Sequence, residues 1–373
     1  MSPRLPLSRP WFNEDELSEL ASTLQTGWVS RGPKCAEFED AITAYLGGGH
    51  AVTMSNCTAA LHVALVCLGI GKGDEVIVPD FTFPATALAV LYTGARPVFV
   101  DVDIQDYCID PKAARSAITE KTRAIIPVHL FGQPADMDSV MKLAEEYKLF
   151  VVEDAACAMG AAMADGRKAG TIGDFGCFSL HGRKVITTGE GGILYTRDVH
   201  MANRARMLSQ FGLPGPGERA ALEEADEILA FQFTELAWNY KMSDLQAAVG
   251  LAQLRKLEKI IEMKTTFART WDRIVQDIPG MIPPARHVGD RHAWQSYVGW
   301  FEDQEARRNA ILRFKTSGFE VNIGTYSCIE QPFFAPLARA ECPHSRHLFY
   351  HSLAIPMPAG MDIMIKEETD GSV

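Results

Sequence analysis

The chain has 373 residues, of which 47% are hydrophobic and 22% are charged, and its formal net charge is −11. This composition is typical of a large globular unit and argues against disorder or a fibrous repeat. Nucleic acids and anionic membranes are disfavoured as partners because an acidic surface repels both, whereas a small phosphorylated ligand needs only a few local cations or backbone N–H groups.

The first residues, MSPRLPLSRPWFNEDE, lack the apolar core of a signal peptide, and no uncharged apolar run reaches the length of a membrane span. The eight cysteines are scattered, without a CxxC pair or an alternating Cys/His spacing. Isolated cysteines in a chain of this size are usually reduced and partly buried. We therefore expect a cytoplasmic protein without a metal site.

Short apolar runs alternate with helical stretches from about residue 50 to residue 195. The runs are rich in β-branched and aromatic residues, as is typical of strands buried on both faces. The predicted strands are Ala51–Met54, Glu75–Val78, Pro97–Val100, Ala124–Val128, Phe150–Val152, Gly176–Ser179 and Gly192–Tyr195. Helices are predicted over Thr58–Leu68, with Gly69 as a C-cap, and over Asp136–Tyr147. The alternation predicts an α/β fold with a mostly parallel sheet.

The middle of the chain contains a break in this pattern. Segment 212–226 is polar and begins with glycines and prolines, which predicts an excursion on the surface. Ser243 and Gln246 then have the spacing of a capping box, which predicts a long helix that continues to about Met263.

The C-terminal part of the chain offers fewer strand patterns. They are predicted over Ser296–Phe301 and Phe319–Ile323, with two helical stretches around them. We therefore predict a large domain over residues 1–255 and a small α/β domain over residues 256–373.

Three segments place polar residues where predicted strands end. Lys184 follows one strand and precedes a glycine-rich segment, Asp154 ends another strand, and Thr58 stands where a strand meets a helix N-terminus. Alone, each has an ordinary explanation: a solvated loop lysine, a turn-capping aspartate and a helix N-cap. Together they fall on one sheet edge, where ligands bind in parallel α/β folds. There Lys184 could hold a cofactor, Asp154 a ring nitrogen and the helix N-terminus a phosphate.

At this level of detail the sequence resembles the DegT/DnrJ/EryC1/StrS family of sugar aminotransferases, which are fold-type-I enzymes that use pyridoxal 5'-phosphate (PLP). The resemblance spans nearly the whole chain, from Gly27-Trp-Val-Ser-Arg-Gly-Pro33 to Ser352-Leu-Ala-Ile-Pro-Met-Pro358. Its most specific segments are Gly73–Pro79, Phe81-Thr-Phe83, Pro97–Asp103, Gly132–Asp138 and Tyr240–Ala248.

The resemblance implies a role for each matching residue. Lys184 matches the lysine that carries PLP as a Schiff base, and Asp154 matches the partner of the pyridine nitrogen. Phe83 matches the aromatic residue that stacks on the cofactor ring. Contacts to the cofactor phosphate are implied for the N–H groups of Cys57 and Thr58, the Thr58 hydroxyl, Ser179 and Asn239. In the family that asparagine comes from the neighbouring subunit, which implies a homodimer with shared active sites.

Five positions depart from the family pattern. Cys57 replaces a usual glycine, and Cys157 replaces a usual glutamine or histidine near the phenolic oxygen of the cofactor. Ala237-Trp238 replaces Gly-Tyr, and Lys241 replaces an arginine. Because a thiol is a weak hydrogen-bond partner, we expect Cys157 to contact the cofactor without being essential.

The resemblance implies a transaminase that moves an amino group from an amino acid, glutamate in most relatives, to a keto-sugar carried on a nucleoside diphosphate, as in deoxysugar and polysaccharide biosynthesis. A keto-cyclitol acceptor is the alternative, and a PLP-binding regulator without turnover is a further one. A dehydratase, in which histidine replaces the lysine, is disfavoured because Lys184 is present beside His181. A nicotinamide dehydrogenase is disfavoured because no GxGxxG segment joins a strand to a helix.

Overall fold

A computed structural model describes residues 5–213, 233 and 235–359 of the chain. Most of the predicted surface excursion, residues 214–226, lies outside the described residues. The helices are α1 (Glu14–Thr26), α2 (Pro33–Leu46), α3 (Cys57–Cys67), α4 (Ala85–Tyr92), α5 (Pro111–Ser116), α6 (Met137–Tyr147), α7 (Val199–Leu208), α8 (Asp244–Ile274), α9 (Gln304–Thr316) and α10 (Pro343–His351). The strands are β1 (His50–Met54), β2 (Glu75–Pro79), β3 (Phe81–Thr82), β4 (Arg96–Val100), β5 (Thr122–Ile125), β6 (Phe150–Asp154), β7 (Phe175–Ser179), β8 (Gly192–Thr196), β9 (Met281–Ile282), β10 (Tyr297–Phe301), β11 (Tyr326–Ser327) and β12 (Ser352–Ile355).

Seven strands form the central sheet in the order β1–β8–β7–β6–β5–β2–β4. Strand β8 runs antiparallel to both of its neighbours, and the other adjacent pairs are parallel. The carboxyl ends of six strands and the amino end of β8 therefore lie along one edge of the sheet. The predicted α/β fold with a mostly parallel sheet is confirmed.

The apolar runs are continuous because helices cover both faces of the sheet. Alternate residues of β2 show this arrangement: Val76 and Val78 pack in a cluster with residues of α3 and α4, whereas Ile77 packs in a separate cluster with residues of α6. Strands covered on both faces need no polar residues between apolar ones.

Helix α8 begins as the sequence predicts. The Ser243 hydroxyl accepts from the Gln246 N–H at 3.3 Å, and the Ser243 N–H donates to the Gln246 side chain at 2.9 Å, which completes the capping box. The helix continues to Ile274, beyond the predicted end near Met263. Its last turns are buried because Phe267 and Trp271 pack in a cluster with C-terminal residues.

Two strand predictions differ from the structure. Strand β5 ends at Ile125, short of the predicted Val128, because Pro127 has no N–H to donate to a ladder. No continuous strand covers Phe319–Ile323, so that prediction is wrong. The backbone of this segment pairs first with Leu5 and then with Ala354, in isolated bridges, and so cannot form a ladder with one partner strand.

The C-terminal strands form a second, antiparallel sheet in the order β12–β10–β9. Strand β10 matches the predicted Ser296–Phe301 within one residue. The proposed boundary between domains near residue 255 falls inside α8, so it stays a prediction.

All eight cysteines are free thiols, and Cys157 alone among them is partly exposed. Within residues 5–213, 233 and 235–359, no group of three or more His, Cys, Asp or Glu side chains is arranged to hold a metal ion. No helix among these same residues is both long enough and apolar enough to cross a membrane.

Candidate functional site

The three predicted segments meet at the edge of the sheet where the parallel strands end. Asp154 is the last residue of β6, Ser179 is the last residue of β7, and α3 begins three residues after the end of β1. Strand β8 enters the sheet at the same edge, because Gly192 pairs with both Met54 and Ser179. Strand β8 therefore hydrogen-bonds to β1, which precedes the α3 N-terminus, and to β7, which precedes Lys184.

Lys184 lies in a tight loop that connects β7 to β8. The Leu180 N–H donates to Gly191 O at 2.9 Å, the Gly182 N–H donates to Gly189 O at 3.1 Å, and the Lys184 N–H donates to His181 O at 2.9 Å. A further hydrogen bond ties the loop to the C-terminal half of the chain: the Gln295 side chain donates to Arg183 O at 3.1 Å. The backbone on either side of Lys184 is therefore fixed.

The Lys184 amine contacts the thiol of Cys157, with 3.2 Å between Nζ and Sγ. Burial lowers the pKa of Lys184, but Cys157, Cys57 and Asp154 act in the opposite direction and leave it above its ordinary value. The side chain is thus an ammonium group held beside a sulfur atom. The sequence did not predict this contact, because it joins residues 27 positions apart.

Asp154 is buried, and burial raises the pKa of its carboxyl group. Two protein donors partly oppose this effect: the Thr86 hydroxyl at 2.7 Å and the Ala156 N–H at 3.1 Å. A carboxylate can accept about four hydrogen bonds, so this one keeps capacity for a further partner. Burial with incomplete compensation suits a group that pairs with a cation supplied by a ligand.

Glu153, next to Asp154, has a wholly buried carboxylate that the sequence did not single out. It accepts from the N–H groups of Gly170, Ile172 and Gly173 at 2.6–2.8 Å. His129 Nε2 lies 2.9 Å from the same carboxylate, and it is the donor because His129 Nδ1 accepts from the Ala135 N–H. Glu153 therefore fixes the end of β6 and the loop that returns to β7.

The N-terminus of α3 has the geometry of an anion site. Asn56, rather than Thr58, is the N-cap, and its side chain accepts from the Ala59 N–H at 2.8 Å. The N–H groups of Cys57 and Thr58 have no acceptor within the helix, as holds for the first turn of any α-helix. These donors and the positive end of the helix dipole favour a phosphate group.

Gly192 shapes this anion site through a close backbone approach. A Cβ atom on Gly192 would lie 2.4 Å from the carbonyl carbon of Asn56 and 2.6 Å from the nitrogen of Cys57. Any side chain there would displace the first turn of α3. The Cys57 side chain creates no such conflict, because it is buried in the core with α3 residues, and its replacement of the usual glycine leaves the anion site open.

Phe83 follows β3 at the same edge and is 63% exposed, an unusual state for a large apolar side chain. Its ring meets the ring of Tyr326 edge to face, with 6.2 Å between centroids. Tyr326 is held by its neighbour Ser327, whose hydroxyl donates to buried Asp80 at 2.5 Å. Burial raises the pKa of Asp80 to about 6. The exposed aromatic surface is available for stacking against a planar ligand.

Asn239 is exposed and receives a hydrogen bond from Lys241 Nζ. The next residue lies against the anion site of its own chain, because the Ser55 N–H donates to Tyr240 O at 2.7 Å. Two exposed apolar side chains lie beside this segment: Leu236 precedes it in the chain, and the Phe211 ring packs against the Lys241 amine. The structure places Asn239 on the surface, where its backbone pairs with Gln210 and its side chain accepts from Lys241 of the same chain.

A cavity of about 490 Å³ lies elsewhere and shares no residue with this edge. Aspartate side chains dominate its lining, and several already have partners. His287 bridges Asp106 and Asp290, and Arg167 bridges Asp138 and Asp165. The sheet edge, with a lysine, a buried carboxylate, an anion site and an exposed aromatic ring, is therefore the better candidate for chemistry.

The arrangement fits a planar cofactor that carries a phosphate, a ring nitrogen and a carbonyl group. The α3 N-terminus could supply phosphate donors, Asp154 a buried anion for a protonated ring nitrogen, and Lys184 an amine for the carbonyl carbon. The face of Phe83 could supply a stacking surface. Cys157 contacts the Lys184 amine, and Ser179 is the last residue of β7, the strand that precedes Lys184.

Comparison with known proteins agrees with this chemistry. The sequence model of the DegT/DnrJ/EryC1/StrS aminotransferase family matches residues 10–367. The spore coat polysaccharide biosynthesis protein SpsC of Bacillus subtilis is 37% identical over 96% of this chain and 93% of its own. The UDP-4-amino-4-deoxy-L-arabinose–oxoglutarate aminotransferase of Shewanella sediminis is 38% identical over 88% of this chain and 85% of its own. The PLP form of Spr1654 from Streptococcus pneumoniae superposes with a TM-score of 0.86 at 27% identity, covering 95% of this chain and 93% of the other.

The close approach at Gly192 yields a prediction. We expect Gly192→Ala to weaken PLP binding to the cofactor-free protein at least about tenfold, because a displaced α3 N-terminus loses charge-assisted hydrogen bonds to the phosphate. The measurement is an absorbance titration with PLP. Gly182→Ala, in the loop between β7 and β8, is the matched control: its Cβ would meet no atom within 4 Å, so this variant should bind like wild type. Equal affinities for the two variants would contradict the proposed anion site.

Proposed function

The chain belongs to the DegT/DnrJ/EryC1/StrS aminotransferase family and is a PLP-dependent transaminase, and from this premise we propose that it aminates a keto-sugar linked to a nucleoside diphosphate, with glutamate as the amino donor. The observation that carries the catalytic assignment is that Lys184 and buried Asp154 lie at the same edge of the sheet. The acceptor class is supported by the relatives, one of which is named for a UDP-linked amino sugar and oxoglutarate.

PLP supplies, when bound, an electron sink that stabilises negative charge on the carbon next to the transferred nitrogen. Lys184 would hold the cofactor covalently between turnovers. When free, its amine would move a proton between the donor α-carbon and the cofactor side. Backbone hydrogen bonds within the loop around Lys184 restrain the point from which its side chain extends, which favours both transfers.

Asp154 keeps the ring nitrogen protonated. Its carboxylate has no cation among the protein groups that bond to it, and Thr86 and Ala156 orient it. The buried His129–Glu153 pair fixes the strand end on which Asp154 stands. Cys57, Thr58, Ser179 and Asn239 hold the phosphate, and Phe83 covers one face of the ring.

The acceptor class is tested by an activity screen. Purified protein with PLP and glutamate is offered UDP-, GDP- and dTDP-linked keto-deoxysugars and, separately, inososes, and the release of 2-oxoglutarate is measured. Turnover with a nucleotide-linked sugar supports the proposal, and turnover with inososes alone supports the keto-cyclitol alternative. If another amino acid converts the bound cofactor but glutamate does not, glutamate is not the donor. If no amino acid converts it, the result contradicts the proposed function and favours a PLP-binding regulator without turnover. Borohydride reduction and peptide mapping should place the pyridoxyl group on Lys184. A label on Lys168 or Lys241 instead would reject Lys184 as the lysine that carries the cofactor.

Asp154→Asn should keep PLP attached to Lys184 but lose turnover by about a thousandfold or more, because a neutral amide cannot stabilise the ring cation. The measurement is the rate at which glutamate bleaches the absorbance of bound PLP. Thr86→Val is a milder variant for comparison with Asp154→Asn. It removes one hydrogen bond to the carboxylate and leaves the charge, so about a tenfold loss is expected. A near-normal rate for Asp154→Asn would mean that another acid protonates the ring.

We further propose that the protein acts as a homodimer in which Asn239 reaches the cofactor phosphate of the partner subunit. The exposed position of Asn239 supports this proposal. So do the exposed apolar side chains beside it, which a second copy would bury. Each subunit would then contribute Lys184 to one active site of the dimer and Asn239 to the other.

Subunit mixing separates this arrangement from a role for Asn239 within its own chain. Lys184→Ala and Asn239→Ala variants, each inactive or nearly so, are unfolded and refolded together. With shared sites, one site of each mixed dimer collects both defects and the other collects neither, so roughly a quarter of wild-type activity should return under random assortment. If mixed dimers are confirmed by a tag and no activity returns, the shared-site proposal fails.

A further inference from the structure

Cys157 occupies a position that gives its thiol a specific contact. It lies in the loop after β6, directly beyond Asp154, and its Sγ is the hydrogen-bond partner of Lys184 Nζ at 3.2 Å. Seven of the eight cysteines are buried, and Cys157 is the one that is partly exposed. The contact joins the loops that follow the adjacent strands β6 and β7, so the order of strands in the sheet brings the two residues together.

The other ionisable groups that face Lys184 are Cys57 and Asp154. Burial raises the pKa of Cys57 well above its ordinary value, so that thiol stays neutral. Asp154 accepts its hydrogen bonds from the Thr86 hydroxyl and the Ala156 N–H rather than from Lys184. Cys157 is therefore the group in direct contact with the ammonium form of Lys184.

We propose that Cys157 stabilises the protonated form of Lys184 through this contact and thereby strengthens Lys184 as the base of the transamination. The inference rests on the proposed role of Lys184 in proton transfer. When the amine takes a proton from the donor α-carbon, the electron pair of the broken C–H bond passes to the bound cofactor, and the proton becomes part of the ammonium group. A hydrogen bond from that ammonium to sulfur lowers the free energy of the product of this step.

The sequence resemblance implies glutamine or histidine at this position, whereas this chain offers a sulfur atom to Lys184. The positive charge of the ammonium donor strengthens a hydrogen bond to this otherwise weak acceptor.

The direct test uses cofactor-free protein and needs no turnover. Brief pulses of acetic anhydride acetylate lysines only in their neutral form, and mass spectrometry of peptides gives the rate at Lys184 as a function of pH. In Cys157→Ala the midpoint of this profile should move to lower pH, which makes acetylation at pH 8 about tenfold faster, as expected for loss of one charge-assisted hydrogen bond. The rate plateau at high pH reports access and should stay unchanged. Lys168, which donates to Tyr45 O, is the internal control.

A second measurement avoids substitution altogether. Methyl methanethiosulfonate should cap the partly exposed Cys157 of the folded wild-type protein, move the Lys184 midpoint in the same direction, and be reversed by dithiothreitol. In the PLP-loaded enzyme, the acidic limb of the pH profile for the glutamate half-reaction should move to lower pH in Cys157→Ala. A Lys184 midpoint that is unchanged or higher after both treatments overturns the inference. If the midpoint moves as expected but no amino acid converts the cofactor, the coupling stands and the proposed function fails.

Discussion

The buried carboxylate of Glu153 organises the site, although it takes no part in the chemistry. Four N–H groups converge on it, three from the backbone of residues 170–173 and one from His129. A buried charge with this many donors is stable only while all of them stay in place. The end of β6 therefore has one position relative to the loop before β7. This fixed strand end determines where Asp154 and Cys157 lie. It therefore also contributes to the distance between Cys157 and Lys184.

The sequence predicted much of the fold because the strands are apolar on both faces and the turns between them are marked by glycine, proline and capping residues. Helix α8 was predicted too short, since its last turns are buried against C-terminal residues whose position no local pattern reveals. Phe319–Ile323 looked like a strand because apolar Phe319, Val321 and Ile323 alternate with polar residues. In the structure its backbone pairs with two separate segments, and that outcome depends on contacts distant in sequence.

The candidate site likewise has features that the sequence predicted and features that it did not. Lys184, Asp154 and the α3 N-terminus could be predicted because each stands at the end of a strand, and strand ends of a parallel sheet meet at one edge. The Thr86–Asp154 and Cys157–Lys184 hydrogen bonds and the donors to Glu153 could not, because each joins separate elements through side-chain geometry. An acidic residue directly before Asp154 on a fully buried strand was the available signal for Glu153, since such a carboxylate needs several donors.

The reversed strand β8 has a consequence for how the site meets its ligand. It hydrogen-bonds to β1 on one side and to β7 on the other, so the phosphate-binding end and the lysine-bearing end of the site belong to one continuous ladder. Neither end can move without breaking backbone hydrogen bonds to the other. The free protein consequently holds both ends at their working separation before any ligand arrives. Little backbone entropy is then lost on association, and the affinity gained from the phosphate can be used to orient the reactive carbon toward Lys184.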